Sequence, residues 1–148
     1  MLAAAGAGAP RPAAGQQVRE LGVNGLLTTA DPTLVAGGVS GALRASRHFR
    51  IALAVVGGRA GGSAAARGEL AAHFLTAPRR ARGPGLYLAG GVAGVVGPAD
   101  RGYIVAAIGL EDRPGARSGW MIEAGVGGGL RLMAGWRWRR FPAGWPSR

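Results

Sequence analysis

Alternation between apolar residues and small or polar residues runs from Gly119 to Phe141 and constrains the fold more than any other stretch. Every even position from Trp120 to Trp138 is apolar or glycine, whereas the odd positions carry Gly, Met, Glu or Arg. Side chains that alternate with a period of two lie on opposite faces of a β-strand. The stretch exceeds the usual strand length of about 3–10 residues. We therefore predict a hairpin that turns at Gly127–Gly129, because glycine adopts positive φ without steric cost.

This hairpin has a predictable register. A three-residue loop at Gly127–Gly129 pairs Val126 with Leu130 on the apolar face. The same register sets Glu123 diagonal to Arg131 on the other face, where opposite charges in neighbouring strands attract each other. One face of the hairpin is therefore bulky and aromatic, while the other carries charge among glycines.

The rest of the chain has the same alternation in six earlier segments. Gly, Pro and Asp separate these segments, as expected for turns. Glycine recurs inside nearly every segment and costs about 1 kcal/mol relative to alanine in a helix, so helices are disfavoured. The predicted strands cover 17–29, 33–45, 48–57, 64–76, 86–96 and 103–112, with a glycine-rich loop at 58–62 and the longest loop at 77–85. With the final hairpin, eight segments indicate an all-β sandwich or barrel.

A chain of 148 residues is expected to form one domain. We predict a β-barrel over residues 17–141 and a tail over 142–148. Residues 1–16 have small residues at A-x-A spacing, which is typical of the end of a signal peptide, but they also fit a disordered Ala/Gly/Pro leader. No run of about 20 apolar residues lacks both charge and proline, so a transmembrane helix is not expected.

Composition narrows the possible partners. Charged residues are 17% of the chain, below the roughly 25% of a typical soluble domain. The net charge of +11 results from 18 arginines, without a lysine, against seven acidic residues. Such a charge is compatible with binding to nucleic acid or to an anionic membrane. The arginines are scattered through every segment rather than clustered, so we do not expect a nucleic-acid partner. The absence of cysteine excludes disulfides and cysteine-based zinc sites.

The acidic residues indicate which face of the sheet is interior. All three aspartates fall in or beside predicted turns, whereas all four glutamates fall in strands, on the face opposite the large aliphatics. The neighbours on that face are mostly Gly and Ala, as a narrow barrel interior requires, and charges inside must pair. The predicted interior polar network consists of Glu20, Arg44, Arg67, Glu69, His73, Glu111, Glu123, Arg131 and Arg137.

The opposite face is almost uniformly Leu, Val, Ile, Phe and Trp. Such a band would far exceed the few hundred Å² of exposed apolar patch that soluble monomers tolerate. Segments of about 10 residues suit tilted transmembrane strands, and tryptophans are typical of the membrane interface. We predict that Trp120, Trp136 and Trp138 form an aromatic girdle, with Trp120 opposite Trp136 in the hairpin.

Eight alternating strands with Glu and Arg inside and Trp outside, over residues 17–141, resemble the small eight-stranded outer-membrane β-barrels of the OmpA/OmpX type. The resemblance implies an antiparallel up-and-down transmembrane barrel in the bacterial outer membrane, with both termini in the periplasm. It also implies a monomer in contact with membrane lipid, with a filled polar interior, no open pore, and a structural or surface-interaction role. The ending Trp136–Phe141 resembles the terminal strand that the barrel-assembly machinery recognises, which implies that machinery as a partner.

Motifs for catalysis and cofactor binding are not found. Without lysine there is no P-loop, and no G-x-S-x-G motif occurs. His73 follows Glu69 by four residues, which separates them by about 13–14 Å along a strand, and no serine stands two residues from His73. We therefore expect an interior, hydrogen-bonded histidine, no enzymatic activity, no cofactor and no metal site.

Two alternatives remain at this point. The first is a soluble calycin-like barrel that carries an apolar ligand, with the Leu/Val/Trp face inside and the Glu/Arg face outside. The second is a membrane enzyme that acts on lipid acyl chains through His73.

Overall fold

A computed structural model describes residues 17–144, which form a closed barrel of eight antiparallel strands in chain order. The described residues include no helix that is long and apolar enough to cross a membrane. The predicted leader at 1–16 and the last four residues of the predicted tail lie outside the described range. The strands are β1 (Arg19–Thr28), β2 (Leu34–Arg44), β3 (Phe49–Ala60), β4 (Ser63–Leu75), β5 (Pro84–Val96), β6 (Arg101–Asp112), β7 (Ser118–Val126) and β8 (Leu130–Arg140).

The barrel closes through β1 and β8. These strands pair antiparallel along the whole of β1, from Arg19 opposite Arg140 to Thr28 opposite Arg131. Every strand therefore has two neighbours, and the sheet has no free edge. The predicted eight-stranded antiparallel barrel is confirmed.

The final hairpin has the predicted register. Val126 pairs with Leu130, and Gly125 pairs with Arg131, which leaves Glu123 diagonal to Arg131. Gly128 and Gly129 have φ values of +81° and +84°, which favour glycine strongly. The turn is where the glycine run predicted it.

Two of the predicted loops were placed wrongly. β3 continues to Ala60 through the expected loop at 58–62, and only Gly61–Gly62 form the turn. Gly58 belongs to the strand, where it pairs with Ala36 of β2 and Ala65 of β4. The position requires glycine because a Cβ there would collide with the backbone of Val35 in β2. β5 likewise begins at Pro84, inside the expected loop at 77–85.

The two faces of the barrel differ as the alternation predicts. Outward aliphatic side chains are exposed, with Ile104 82% and Leu21 69% accessible, whereas the strand glutamates are buried. A soluble carrier would need the reverse arrangement. The interior is less uniformly small and polar than expected, because it also holds large apolar side chains: Leu26, Leu34, Val56, Leu75, Val105, Met121 and Met133. Met133 lies among the interior charges themselves, because Arg131 Nη2 is 3.5 Å from its sulfur.

The connections divide between two ends of the barrel. The terminus end carries both ends of the described chain and the connections 45–48, 76–83 and 113–117. The far end carries 29–33, Gly61–Gly62, 97–100 and 127–129. The two longer connections at the terminus end contact each other, because the Gly115 amide donates to the Arg80 carbonyl at 2.9 Å and the Arg113 amide donates to the Gly83 carbonyl at 3.1 Å.

Candidate functional site: an interior network of arginines and glutamates

The polar interior contains two groups of ion pairs, and the first lies toward the terminus end around Glu20 and Glu111. Arg44 Nε lies 2.8 Å from Glu20 Oε1. Arg50 Nη1 lies 3.0 Å from Glu20 Oε2 and 2.8 Å from Glu111 Oε2, so it bridges the two carboxylates. Arg50 is fully buried, and a buried guanidinium requires such partners.

Two further arginines from β8 complete this first group. Arg137 Nη1 and Arg139 Nη2 lie 3.3 Å and 3.1 Å from Glu111 Oε2. Their positions alternate with outward residues of β8, so strand parity places both guanidinium groups inside. Four arginines therefore surround the two carboxylates of Glu20 and Glu111.

The second group lies toward the far end around Glu69 and Glu123. Arg131 links them, with Nη1 2.7 Å from Glu123 Oε2 and Nη2 2.8 Å from Glu69 Oε1. Arg67 Nη2 lies 3.1 Å from Glu69 Oε2. All four side chains are buried, so each charge is compensated where water is excluded.

Tyr87 connects the two groups. Its hydroxyl donates a hydrogen bond of 2.9 Å to Glu123 Oε1 in the second group. Its ring stacks on His73 at 5.2 Å between centroids, with an interplanar angle of 5°. The guanidinium carbons of Arg50 and Arg137, from the first group, lie 5.0 Å and 5.7 Å from the ring centroid, within cation–π range.

His73 takes part as a hydrogen-bond acceptor. Arg50 Nη2 lies 2.9 Å from His73 Nδ1. Because a guanidinium only donates, Nδ1 must carry no proton. Among the residues that the structure describes, no hydroxyl group hydrogen-bonds to His73, and no cluster of three or more acidic or histidine residues could hold a metal.

The network also contacts the connections at both ends. Arg44 Nη1 and Nη2 donate to the carbonyls of Pro78 and Pro114 at 3.0 Å and 2.8 Å. At the far end, Arg67 Nη1 donates to the Gly127 carbonyl at 2.7 Å. The interior charges therefore attach the backbones of these connections to the network at both ends of the barrel.

Little space remains inside the barrel. One cavity of about 30 Å³ lies between the two groups and is lined by Asn24, Ser40, His73, Arg131 and Arg137 among others. A cavity of this size accommodates about one or two water molecules.

The structure brings together all nine residues of the predicted interior network. Eight of them form ion pairs, and His73 contacts Arg50. Sequence reasoning missed Arg50, Arg139 and Tyr87 as members. Arg50, Arg139 and Tyr87 lie two residues from the inward-pointing Ala52, Arg137 and Ala89, respectively, on the same strands. The alternation therefore contained the signal.

The outer wall carries the predicted tryptophans. Trp120 pairs with Trp136, and Trp138 pairs with Leu21 of β1. All three indoles are partly exposed and point outward in the half of the barrel nearer the terminus end. Two further exposed aromatics, which were not predicted as part of a girdle, lie at the same end across the wall: Phe49 and Phe74, with ring centroids 5.3 Å apart.

Comparison with solved structures identifies the same architecture elsewhere. The crystal structure of the N-terminal β-barrel domain of Pseudomonas aeruginosa OprF matches this chain with a TM-score of 0.71 and 14% sequence identity. The match covers 85% of this chain and 99% of that domain. No protein-family model matches the sequence, and no curated protein matches it. The similarity and the closed topology show that the chain has the fold of a small eight-stranded barrel of the OmpA type.

Proposed function

We propose that this protein is a small, non-enzymatic β-barrel of the bacterial outer membrane, with a structural or surface-interaction role and no open pore. The observation that carries the proposal is the distribution of side chains, with ion pairs buried inside the barrel and a continuous apolar wall outside. Its natural partners are membrane lipids. The terminus end faces the periplasm in this proposal, by analogy with barrels of the same fold.

The dimensions of the wall support a membrane location. The strands contain 9–13 residues, close to the about 9–11 residues that a tilted strand needs to cross a bilayer. Between the strand ends the outward positions are apolar or glycine and mostly exposed, whereas Arg19, Arg59 and Arg140 point outward only near the ends of their strands. In water this surface would drive aggregation, whereas in hydrocarbon it has the required polarity.

The interior contacts support a closed barrel. Two groups of ion pairs and Tyr87 occupy the lumen, and the cavity between the groups is about 30 Å³. Arg44 and Arg67 hydrogen-bond to loop carbonyls at opposite ends. Passage of a solute would require these contacts to break together.

The surroundings of His73 favour a role without catalysis. Its Nδ1 contacts Arg50, and one ring face is covered by Tyr87. A histidine that activates a nucleophile needs a hydroxyl or thiol within hydrogen-bond reach. The proposal therefore gives His73 no catalytic role.

The C-terminal strand supports assembly by the barrel-assembly machinery. β8 closes the barrel against β1 and presents Trp136 and Trp138 outward. We propose that this strand, with the Phe141 that follows it, is the segment that the machinery recognises.

Refolding into lipid tests the membrane proposal. The protein should form protease-resistant β-structure in phospholipid vesicles and float with them, and should not remain a folded monomer in buffer without detergent. A folded monomer in plain buffer would refute it. Planar bilayers containing the protein should show no stepwise conductance. Regular conductance steps would refute the closed interior but not the membrane location.

A further inference from the structure

The charges outside the barrel interior are unequally divided between its two ends. Within residues 17–144, the terminus end carries eight exposed or half-buried arginines against one aspartate, Asp112, which pairs with Arg113 at 2.8 Å. The far end carries two arginines and two aspartates. The eight arginines are Arg19, Arg47, Arg79, Arg80, Arg82, Arg113, Arg117 and Arg140. The terminus end is therefore strongly cationic, and the far end is neutral.

Within this cationic end, Arg19 and Arg140 form an unusual pair. They lie directly opposite each other where β1 meets β8, and both point outward. Like charges in this position repel each other. All seven acidic residues belong to the part of the chain that the structure describes, and none pairs with Arg19 or Arg140. An anion from outside the protein would relieve the repulsion.

An apolar groove begins at this pair of arginines and continues along the outer wall over β1, β2 and β3. Its floor is Gly41, which lies opposite Leu21 on one side and Leu53 on the other. Because Gly41 has no side chain, the two leucines bound the middle of this trough. The whole trough has a volume of about 880 Å³ and is also lined by Ile51, Leu70 and Trp138. Trp138 lies beside Arg140 at the cationic end of the groove.

We propose that this groove binds one anionic phospholipid of the adjacent leaflet, with the phosphate between Arg19 and Arg140 and an acyl chain over Gly41. The inference rests on the proposed membrane location and adds a specific lipid class. Guanidinium groups suit phosphate because their planar donors match its oxygens. The neighbouring Trp138 has the amphipathic character of residues at the level of lipid headgroups.

A second groove on the same barrel provides an internal comparison. It lies over β1, β6, β7 and β8 near Ala124 and Ala134 and has a volume of about 660 Å³. Its outward lining is apolar, without an arginine at either end. It should accept acyl chains without selecting the headgroup.

The test measures which lipids remain bound after extraction. Protein refolded in vesicles of equimolar phosphatidylcholine and phosphatidylglycerol is extracted in mild detergent and analysed by native mass spectrometry. We expect one retained phosphatidylglycerol, with a preference of about tenfold over phosphatidylcholine, the scale of one or two charge-assisted hydrogen bonds. The double variant Arg19→Gln/Arg140→Gln should reduce this preference to about one.

A variant at Gly41 and two controls distinguish recognition of the lipid headgroup from binding of the acyl chain. Gly41→Leu keeps both arginines but places a side chain on the floor of the trough, where the acyl chain would lie. A Cβ there meets only ordinary contacts, so the variant should fold and lose lipid retention about as strongly. Arg59→Gln/Arg101→Gln at the far end and Ala134→Leu in the second groove should retain the wild-type preference.

Two results would overturn the inference. One is equal retention of phosphatidylglycerol and phosphatidylcholine by wild-type protein that has inserted into vesicles. This result would leave the proposed membrane location intact. The other is an equal loss of preference in the far-end control, which would indicate nonspecific attraction. Failure to insert into any vesicle would instead refute the proposed function itself.

Discussion

At the scale of single residues, the interior charges bind so many partners that few can be removed without exposing another buried charge. Glu123 accepts from Arg131 at 2.7 Å and from the Tyr87 hydroxyl at 2.9 Å. Arg131 in turn contacts Glu69. Breaking one buried pair leaves its partner without compensation, which generally costs more than the pair contributes.

Substitution of this pair should therefore destabilise the barrel strongly. We expect Glu123→Ala and Arg131→Ala each to lower the free energy of unfolding by about 3–5 kcal/mol, measured by urea titration of the protein refolded in vesicles. Arg59→Ala, at an exposed far-end position, should change it by less than about 0.5 kcal/mol. Equally small effects at positions 123 and 131 would mean that this face is solvated.

A second residue-scale prediction concerns the space around Tyr87. Gly109 lies so close to the Tyr87 ring that a Cβ would overlap its atoms. Gly109→Ala should therefore displace the ring and cost about 1–3 kcal/mol, as overpacking usually does. Gly94→Ala is the matched control, because a Cβ there meets no atom within 4 Å. The same unfolding titration gives the comparison, and equal stability of the two variants would contradict the packing described for Tyr87.

At the scale of strands and loops, Arg44 at the end of β2 hydrogen-bonds to the backbones of two separate loops, 76–83 and 113–117. Its guanidinium donates to the carbonyls of Pro78 and Pro114. We expect Arg44→Ala to loosen the 76–83 connection, so that trypsin cleaves after Arg79, Arg80 or Arg82 several-fold faster, because local opening governs such cleavage. The strands should stay intact because Arg50 still pairs with Glu20. Arg47→Ala in the neighbouring turn should leave the cleavage rate unchanged. Equal rates in both variants would show that Arg44 does not hold the loop.

The sequence predicted the faces of the strands better than their ends. Alternation depends on strand geometry alone, so the inward position of Glu20 or Arg137 can be inferred locally. Glycine is ambiguous, because it marks both turns and close approaches between strands. Gly58 marks a close approach between strands, because the backbone of β2 lies against it. This contact cannot be predicted until the pairing register of β2 and β3 is known.

The ion-pair partners of interior residues also could not be predicted from local sequence patterns. Arg50 bridges Glu20 and Glu111, which lie in β1 and β6 on different parts of the wall. Their meeting depends on the tilt and stagger of the closed barrel, which relate distant strands. Alternation along a strand predicts which side chains point into the barrel, whereas closure of the barrel determines which of them contact each other.

At the scale of the whole molecule, the barrel inverts the polarity of a water-soluble protein. Six arginines and four glutamates are buried in the lumen, while the large aliphatics form the outer wall. This arrangement is stable only if the wall is covered, and lipid is the covering that we propose. Ile122 and Leu53 lie near the middle of β7 and β3 and point outward, so they are expected near the bilayer centre.

Cysteine labelling in vesicles tests this account most directly, because the protein has no cysteine of its own. Single cysteines at Ile122 and Leu53 should resist a water-soluble maleimide but react with a lipid-soluble one. A cysteine at Ala93, which faces the packed interior, should react slowly with both reagents. Rapid labelling from water at positions 122 and 53, with the protein folded and monomeric, would contradict the membrane-facing wall and the function proposed from it.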